Sequence, residues 1–206
     1  ISIRLVGSEM CIRDSLQGDV GSGKTIVALT SILNVINSKF QVAFMAPTEI
    51  LAQQHYNLAK SLLPDNVKID ILTSKTDNKI RKKIINDLEN HQIDLLIGTH
   101  SLFQNKINYR KLGLIIIDEQ HKFGVKQRKK LSDKGGKNCD ILVMSATPIP
   151  RTMIMTIFGD MDVSIIKSKP KNRKEITTLS KLDKKINEIL ASVSYTHLRA
   201  HETYRD

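Results

Sequence analysis

The sequence predicts an α/β domain built on a doubly wound, mostly parallel sheet with helices on both faces. Three observations carry this. Between Leu16 and Lys167, short apolar runs alternate with longer amphipathic ones, the pattern of βαβ units. Two of the short runs, Ile115-Ile116-Ile117 and Leu142-Val143-Met144, are continuous apolar triplets, as expected of strands buried on both faces. Nearly every run ends in a small or polar cluster, which is where ligands of such sheets bind.

Taken in chain order, Leu16-Gln17 reads as the stump of a first strand, and Lys24–Asn37 has the apolar spacing of a helix. Strand Gln41–Ala46 is followed by helix Glu49–Leu63, and strand Val67–Leu72 by helix Lys79–Asn90. Strands Asp94–Gly98 and Leu112–Asp118 come next, then a helical pattern over Val125–Leu131. Ile141–Ser145, a helix over Arg151–Phe158 and Val163–Ile166 complete the set. Residues 168–174 are basic and turn-rich, the composition of a linker, and Thr177–Leu190 has the spacing of one more strand and helix. The expected domain therefore spans 16–168, and 169–192 open a second one.

The 206 residues suit about one domain of this kind, at roughly 100–200 residues per domain. Apolar residues at 40% suffice for a core, and charged residues at 26% argue against wholesale disorder. No apolar run approaches the ~20 residues that span a bilayer. The 32 basic against 21 acidic side chains leave a charge of +11, which favours a polyanionic partner.

The two ends have a different origin from the rest. Val193–Thr203 can be encoded by a DNA string whose reverse complement, in one frame, encodes Leu5–Asp14 in order. That element resembles the transposon-derived adapter of sequencing libraries. Residues 1–15 and 193–206 are therefore expected to be adapter-derived and to stay out of the core. Each end carries two basic and two acidic residues, so the whole +11 belongs to 16–192. Setting aside Cys11 leaves Cys139 as a single cysteine, so no native disulfide is expected, which points to a reducing, cytoplasmic setting.

Gly18-Asp19-Val20-Gly21-Ser22-Gly23-Lys24-Thr25 fits the Walker A pattern between a strand stump and a helix. Its glycines let the backbone curl so that successive N–H groups face phosphate oxygens, and the helix start adds its positive dipole end. Lys24 would reach the β- and γ-phosphates, and the Thr25 hydroxyl would hold Mg²⁺. Such a loop needs an acidic partner at the end of a buried strand, and Asp118-Glu119 supplies it. Asp118 would serve the metal, and Glu119 would polarise the attacking water. Gln120 and His121 follow, and a histidine beside acids is on chemistry alone as often a hydrogen-bonded structural group.

Gly18–Thr25, Ala46-Pro47-Thr48-Glu49, Gly98-Thr99-His100, Asp118-Glu119-Gln120-His121 and Ser145-Ala146-Thr147-Pro148 resemble, in order, motifs I, Ia, Ib, II and III of the superfamily 2 helicases. Met45–His55, Asp118–Arg128, Met144–Thr152 and Phe158–Ser164 are similar to the RecG family of bacterial branch-migrating DNA helicases. The transcription-repair coupling translocases share much of the segment, but their acidic motif usually reads Asp-Glu-Glu-His where this chain has Gln120. The resemblance covers residues 16–178.

It implies a RecA-like P-loop NTPase domain with ATP and Mg²⁺ as cofactors. The catalytic set would be Lys24, Asp118, Glu119, Gln120 and His121, with Gly18 to Thr25 holding nucleotide and Thr25 and Asp118 the metal. Gln120 and His121 would link this centre to Ser145 and Thr147, so that nucleotide state alters the grip on DNA. Thr48, Thr99 and His100 would lie along the DNA path, although Thr48 also fits a helix N-cap. Arg151 is either a further contact or a solvated helix start. The resemblance implies branched DNA, engaged without sequence preference, as partner, in repair and recombination. An N-terminal wedge domain, an adenine-recognition segment before Leu16 and a second RecA-like domain with arginine fingers would complete the enzyme. The isolated chain is expected to bind nucleotide and hydrolyse it very slowly. The alternatives are a small-molecule P-loop kinase and a nucleotide-binding module with no turnover.

Overall fold

A computed structural model describes residues 13–103, 107–119, 139–147 and 161–167. The chain divides into two compact units, Ile1–Pro170 and Lys171–Asp206, and the described residues all lie in the first. The expected helices Val125–Leu131 and Arg151–Phe158, the 168–174 linker and the segment Thr177–Leu190 lie outside the described residues. So do Gln120, His121, Arg151 and the end 193–206.

Among the described residues seven strands form one sheet. They are β1 (Arg13–Gly18), β2 (Gln41–Met45), β3 (Ile69–Leu72), β4 (Leu95–Gly98), β5 (Leu112–Asp118), β6 (Asp140–Ser145) and β7 (Asp162–Ile166). The order is β3-β4-β2-β5-β6-β1-β7, and every neighbouring pair is parallel. Three helices connect them: α1 (Lys24–Asn37), α2 (Glu49–Leu62) and α3 (Asn78–Glu89). The predicted α/β fold is what the chain adopts. None of the described helices is long and apolar enough to cross a membrane.

Strand parity divides the core into two layers. Val42 and Phe44 of β2, with Leu114 and Ile116 of β5, pack against Ala28, Leu29 and Ile32 of α1 and Ala52 and Ala59 of α2. Their strand neighbours Ala43, Met45, Ile115 and Ile117 pack on the opposite face with Ile84 and Leu88 of α3. This two-sided burial explains why the central strands read as unbroken apolar runs.

The helix starts follow local chemistry. The Thr48 side chain caps α2 by accepting from Leu51 N–H at 3.3 Å, and Glu49 complements the dipole in the first turn. Asp77 caps α3 by accepting from Lys79 N–H at 2.9 Å. α1 differs: its N-cap is Gly23, which has no side chain to offer. Ile26 N–H turns back onto Gly23 O at 3.0 Å, which leaves the N–H groups of Lys24 and Thr25 at the helix start for an outside acceptor.

One expectation fails here. β1 is no two-residue stump: Arg13, Asp14 and Ser15 pair with Ile141, Leu142 and Val143 of β6. Residues 1–15 therefore do not all stay out of the core, since Ser15 is fully buried. A parallel ladder is made by backbone groups, so the slot between β6 and β7 accepts residues of any polarity. The side chains fit it poorly. Among the described residues the buried Ser15 Oγ has no hydrogen-bond partner, and Asp14 stands in register with Asp162 of β7. Burial, and then the Asp162 charge, push the Asp14 carboxyl above its ordinary value.

Candidate nucleotide and nucleic-acid site

The strand ends are in register along one edge. Met45 pairs with Gly98 and with Ile117, Asp118 with Met144, and Gln17 with Ser145. Whatever follows β4, β2, β5, β6 and β1 therefore emerges side by side, in that order. The edge runs from Thr99-His100 through Thr48 and Asp118-Glu119 to Ser145–Thr147, and ends at the loop Gly18–Thr25.

The loop takes the shape that its glycines permit. Gly21 and Gly23 lie at φ 78° and 90°, in the left-handed region. A Cβ at Gly18 would lie 2.6 Å from Ser22 Oγ and 3.1 Å from Ile166 Cβ, so any larger residue there would have to push the Ser22 side chain aside and crowd β7. Lys24 folds into this turn and donates from Nζ to Gly18 O at 2.6 Å and Asp19 O at 3.0 Å. Asp19 Oδ1 accepts from Val20 N–H at 2.8 Å, and Val20 is exposed. The result is a curl with a cation at its centre and an uncapped helix behind it, the arrangement that receives phosphate.

Asp118 ends β5 on the parity of Leu114 and Ile116, the side on which α1 and α2 pack. It is 8% exposed, and its Oδ2 lies 2.9 Å from His55 Nε2. β6 alone separates its strand from β1, so the two strand ends are about 10 Å apart at the usual strand spacing. That gap suits phosphates and a metal ion between them.

Glu119 adopts φ 50°, a left-handed backbone on a non-glycine residue, which costs of order 1–3 kcal/mol and clusters at functional sites. It is held there by its N–H donating to Met144 O at 2.9 Å and by Oε1 accepting from Ala146 N–H at 3.3 Å. Ser145 and Thr147 close a small network of their own. Ser145 Oγ donates to Thr147 O at 3.0 Å, accepts from Thr147 N–H at 3.2 Å, and lies 3.1 Å from Thr147 Oγ1. The expected link from Ser145 and Thr147 to Gln120 and His121 lies outside the described residues; the link seen runs from Ala146 to Glu119.

On the other half of the edge, the Thr48 oxygen is engaged in its cap. Thr99 is buried, its Oγ1 without a hydrogen-bond partner among the described residues, and His100 is exposed at the start of a short 3₁₀ turn, His100–Phe103. Sequence reasoning assigned no role to His55 or Ala146. His55 had a legible signal: it falls between Ala52 and Ala59 on the buried stripe of α2, where an imidazole needs a partner. Ala146 had none, because it acts through its backbone.

The DEAD/DEAH box helicase family pattern matches residues 4–156. The chain belongs to that family. Among relatives of the DEAD/DEAH box group, the ATP-dependent DNA helicase RecG of Thermotoga maritima is 46% identical over 198 residues, 96% of this chain and 25% of the relative. That match is longer than the stretch between the two ends set aside above, so it takes some end residues with it. RecG of Streptococcus pneumoniae is 50% identical over 163 residues, 79% of this chain and 24% of the relative. A solved structure of RecG bound to a three-way DNA junction superimposes with a TM-score of 0.77 at 42% identity, covering 92% of this chain and 25% of that one. A DEAD box protein from Methanococcus jannaschii shares the fold, with a TM-score of 0.62 at 22% identity over 75% of this chain and 46% of that one. The chain thus spans about a quarter of the length of the RecG relatives that it matches.

Proposed function

We propose that the chain is the ATP-binding half of the motor of an ATP-dependent DNA helicase of the RecG kind, working in the cytoplasm on branched DNA. The observation that carries this is the order of groups along the strand edge. The phosphate-shaped loop Gly18–Thr25 and the acids Asp118-Glu119 occupy one part, within which Glu119 is tied to Ala146 after β6, and Thr48, Thr99 and His100 occupy the other.

Nucleotide phosphates would replace Gly18 O and Asp19 O as partners of Lys24 Nζ and accept from N–H groups of the loop and of the start of α1. Thr25 and Asp118 are hard oxygen donors, and among the described residues Asp118 commits only Oδ2 to protein, so the pair fits Mg²⁺, which takes one or two protein oxygens beside phosphates. Bound there, Mg²⁺ would neutralise charge that develops on the β- and γ-oxygens. Glu119 would accept a proton from water, its carboxylate aimed by Ala146 N–H. Thr48, Thr99 and His100 would hold backbone phosphates, which positions DNA without reading its sequence. Gln120, His121, Ser145 and Thr147 would relay nucleotide state to that grip.

The test is phosphate release by the chain extended to the length of its relatives. DNA should stimulate turnover, a three-way junction more than linear duplex, and Glu119→Gln should cut it by about 10²–10⁴. Turnover indifferent to DNA would reject the motor reading.

A further inference from the structure

We propose that His55 is the positioning residue for the Asp118 carboxylate, a role that rests on the MgATP reading of this edge. An ionised carboxylate that is 8% exposed needs hydrogen bonds to offset its lost hydration. The donor found is the His55 imidazole, with Nε2 2.9 Å from Oδ2; towards an ionised Asp118 the proton sits on Nε2. Among the described residues Oδ1 accepts no hydrogen bond. The contact therefore commits one oxygen to the protein and leaves the other for a metal ion, a distinction that a lone carboxylate at a strand end would not make.

The imidazole is fixed in turn. Its ring is tilted 52° against Phe44 with centroids 4.6 Å apart, and its side chain is 11% exposed. Phe44 pairs in register with Ile116, two residues before Asp118 and on the same face. Ala52 and Ala59, buried on either side of His55 along the helix, seat α2 close to the sheet. The carboxylate, the ring that holds it and the aromatic that holds the ring thus form one packed stack across β5, α2 and β2. Partners of this kind, one shell out from a metal, change affinity for it by about 10–100-fold when removed.

Two variants separate the donor from the packing. His55→Gln places an amide N–H where Nε2 stood and gives up the ring; His55→Phe keeps the ring against Phe44 and gives up the donor. The measurement is binding of a fluorescent ATP analogue to the chain, first without metal and then across a Mn²⁺ titration, with thermal midpoints recorded for each variant. His55→Phe should need about 10–100-fold more Mn²⁺, and His55→Gln should stay near the parent, with metal-free affinity unchanged in both. Equal Mn²⁺ dependence in His55→Phe and the parent would overturn the proposal. So would a His55→Gln variant that folds yet binds Mn²⁺ as poorly as His55→Phe. Asp118→Asn is the control for the underlying reading. If it leaves the Mn²⁺ dependence intact, the site assignment fails; if it removes that dependence while His55→Phe does not, only the role of His55 fails.

Discussion

Ala146 donates its backbone N–H to Glu119 Oε1 at 3.3 Å, while Glu119 donates its own N–H to Met144 O at 2.9 Å. The two bonds clamp the residue after β5 to the end of β6 and hold it at φ 50°. Glu119→Gln keeps an acceptor for Ala146 and loses the base. In the extended protein it should cut turnover by about 10²–10⁴, the range for general acid–base groups, and leave nucleotide affinity within about twofold. Fluorescence titration beside a phosphate-release assay checks both. Collapse of binding would mean that Glu119 chiefly shapes the turn.

Gln41 is fully buried at the start of β2, where Nε2 donates to Leu88 O at 2.9 Å and Ile93 O at 2.8 Å, and Oε1 accepts from Lys111 N–H at 3.1 Å. One amide thereby bonds three main-chain groups, at the end of α3 and at the entries to β4 and β5. Gln41→Leu removes the partner of Ile93 O and Lys111 N–H at about 1–3 kcal/mol each, while Leu88 O keeps His91 N–H at 3.2 Å, so a loss of about 2 kcal/mol or more is expected in urea unfolding with an unchanged slope. A loss under about 1 kcal/mol would show that water replaces the amide.

Asp14 should make stability depend on pH. Its carboxyl titrates above its ordinary value of 3.8 in the folded chain, first through burial and then through Asp162. Below 3.8 the group is protonated in folded and unfolded chains alike and costs nothing. As pH rises through the raised folded value the ionised form becomes unfavourable, so this contribution lowers stability with rising pH. Asp14→Asn should be more stable than the parent at neutral pH, by less than about 1 kcal/mol because the carboxyl is half-exposed, and equal to it in acid. Denaturation midpoints at both ends of the range check the sign.

The parts of the fold that were legible are those signalled locally. α1 has its predicted limits, Lys24 to Asn37, because a glycine-rich loop and a polar turn bracket it. β5 also has its predicted limits, with an apolar run ending in two acids. β3 begins at Ile69 and not at Val67, because Val67 N–H closes a turn onto Pro64 O and Lys68 N–H is taken by Asp94 Oδ2. The upstream half of β1 was illegible since Arg13-Asp14-Ser15 has no strand pattern and joins through its backbone alone. In the site, the loop and acids were readable as motifs. The His55–Asp118 contact joins residues 63 apart and needed the sheet to bring α2 over β5.

The central claim is that Gly18–Thr25 is an ATP phosphate site with Lys24 at its centre. Equilibrium titration of the chain with a fluorescent ATP analogue in excess Mg²⁺, for the parent and for Lys24→Ala, tests it most directly. Hydrogen bonds to charged groups contribute about 1.5–3 kcal/mol. At about 1.4 kcal/mol per tenfold, the account predicts saturable binding by the parent, weakened about 10–150-fold by Lys24→Ala. Absence of saturable binding, or the same Kd in both proteins, would contradict it.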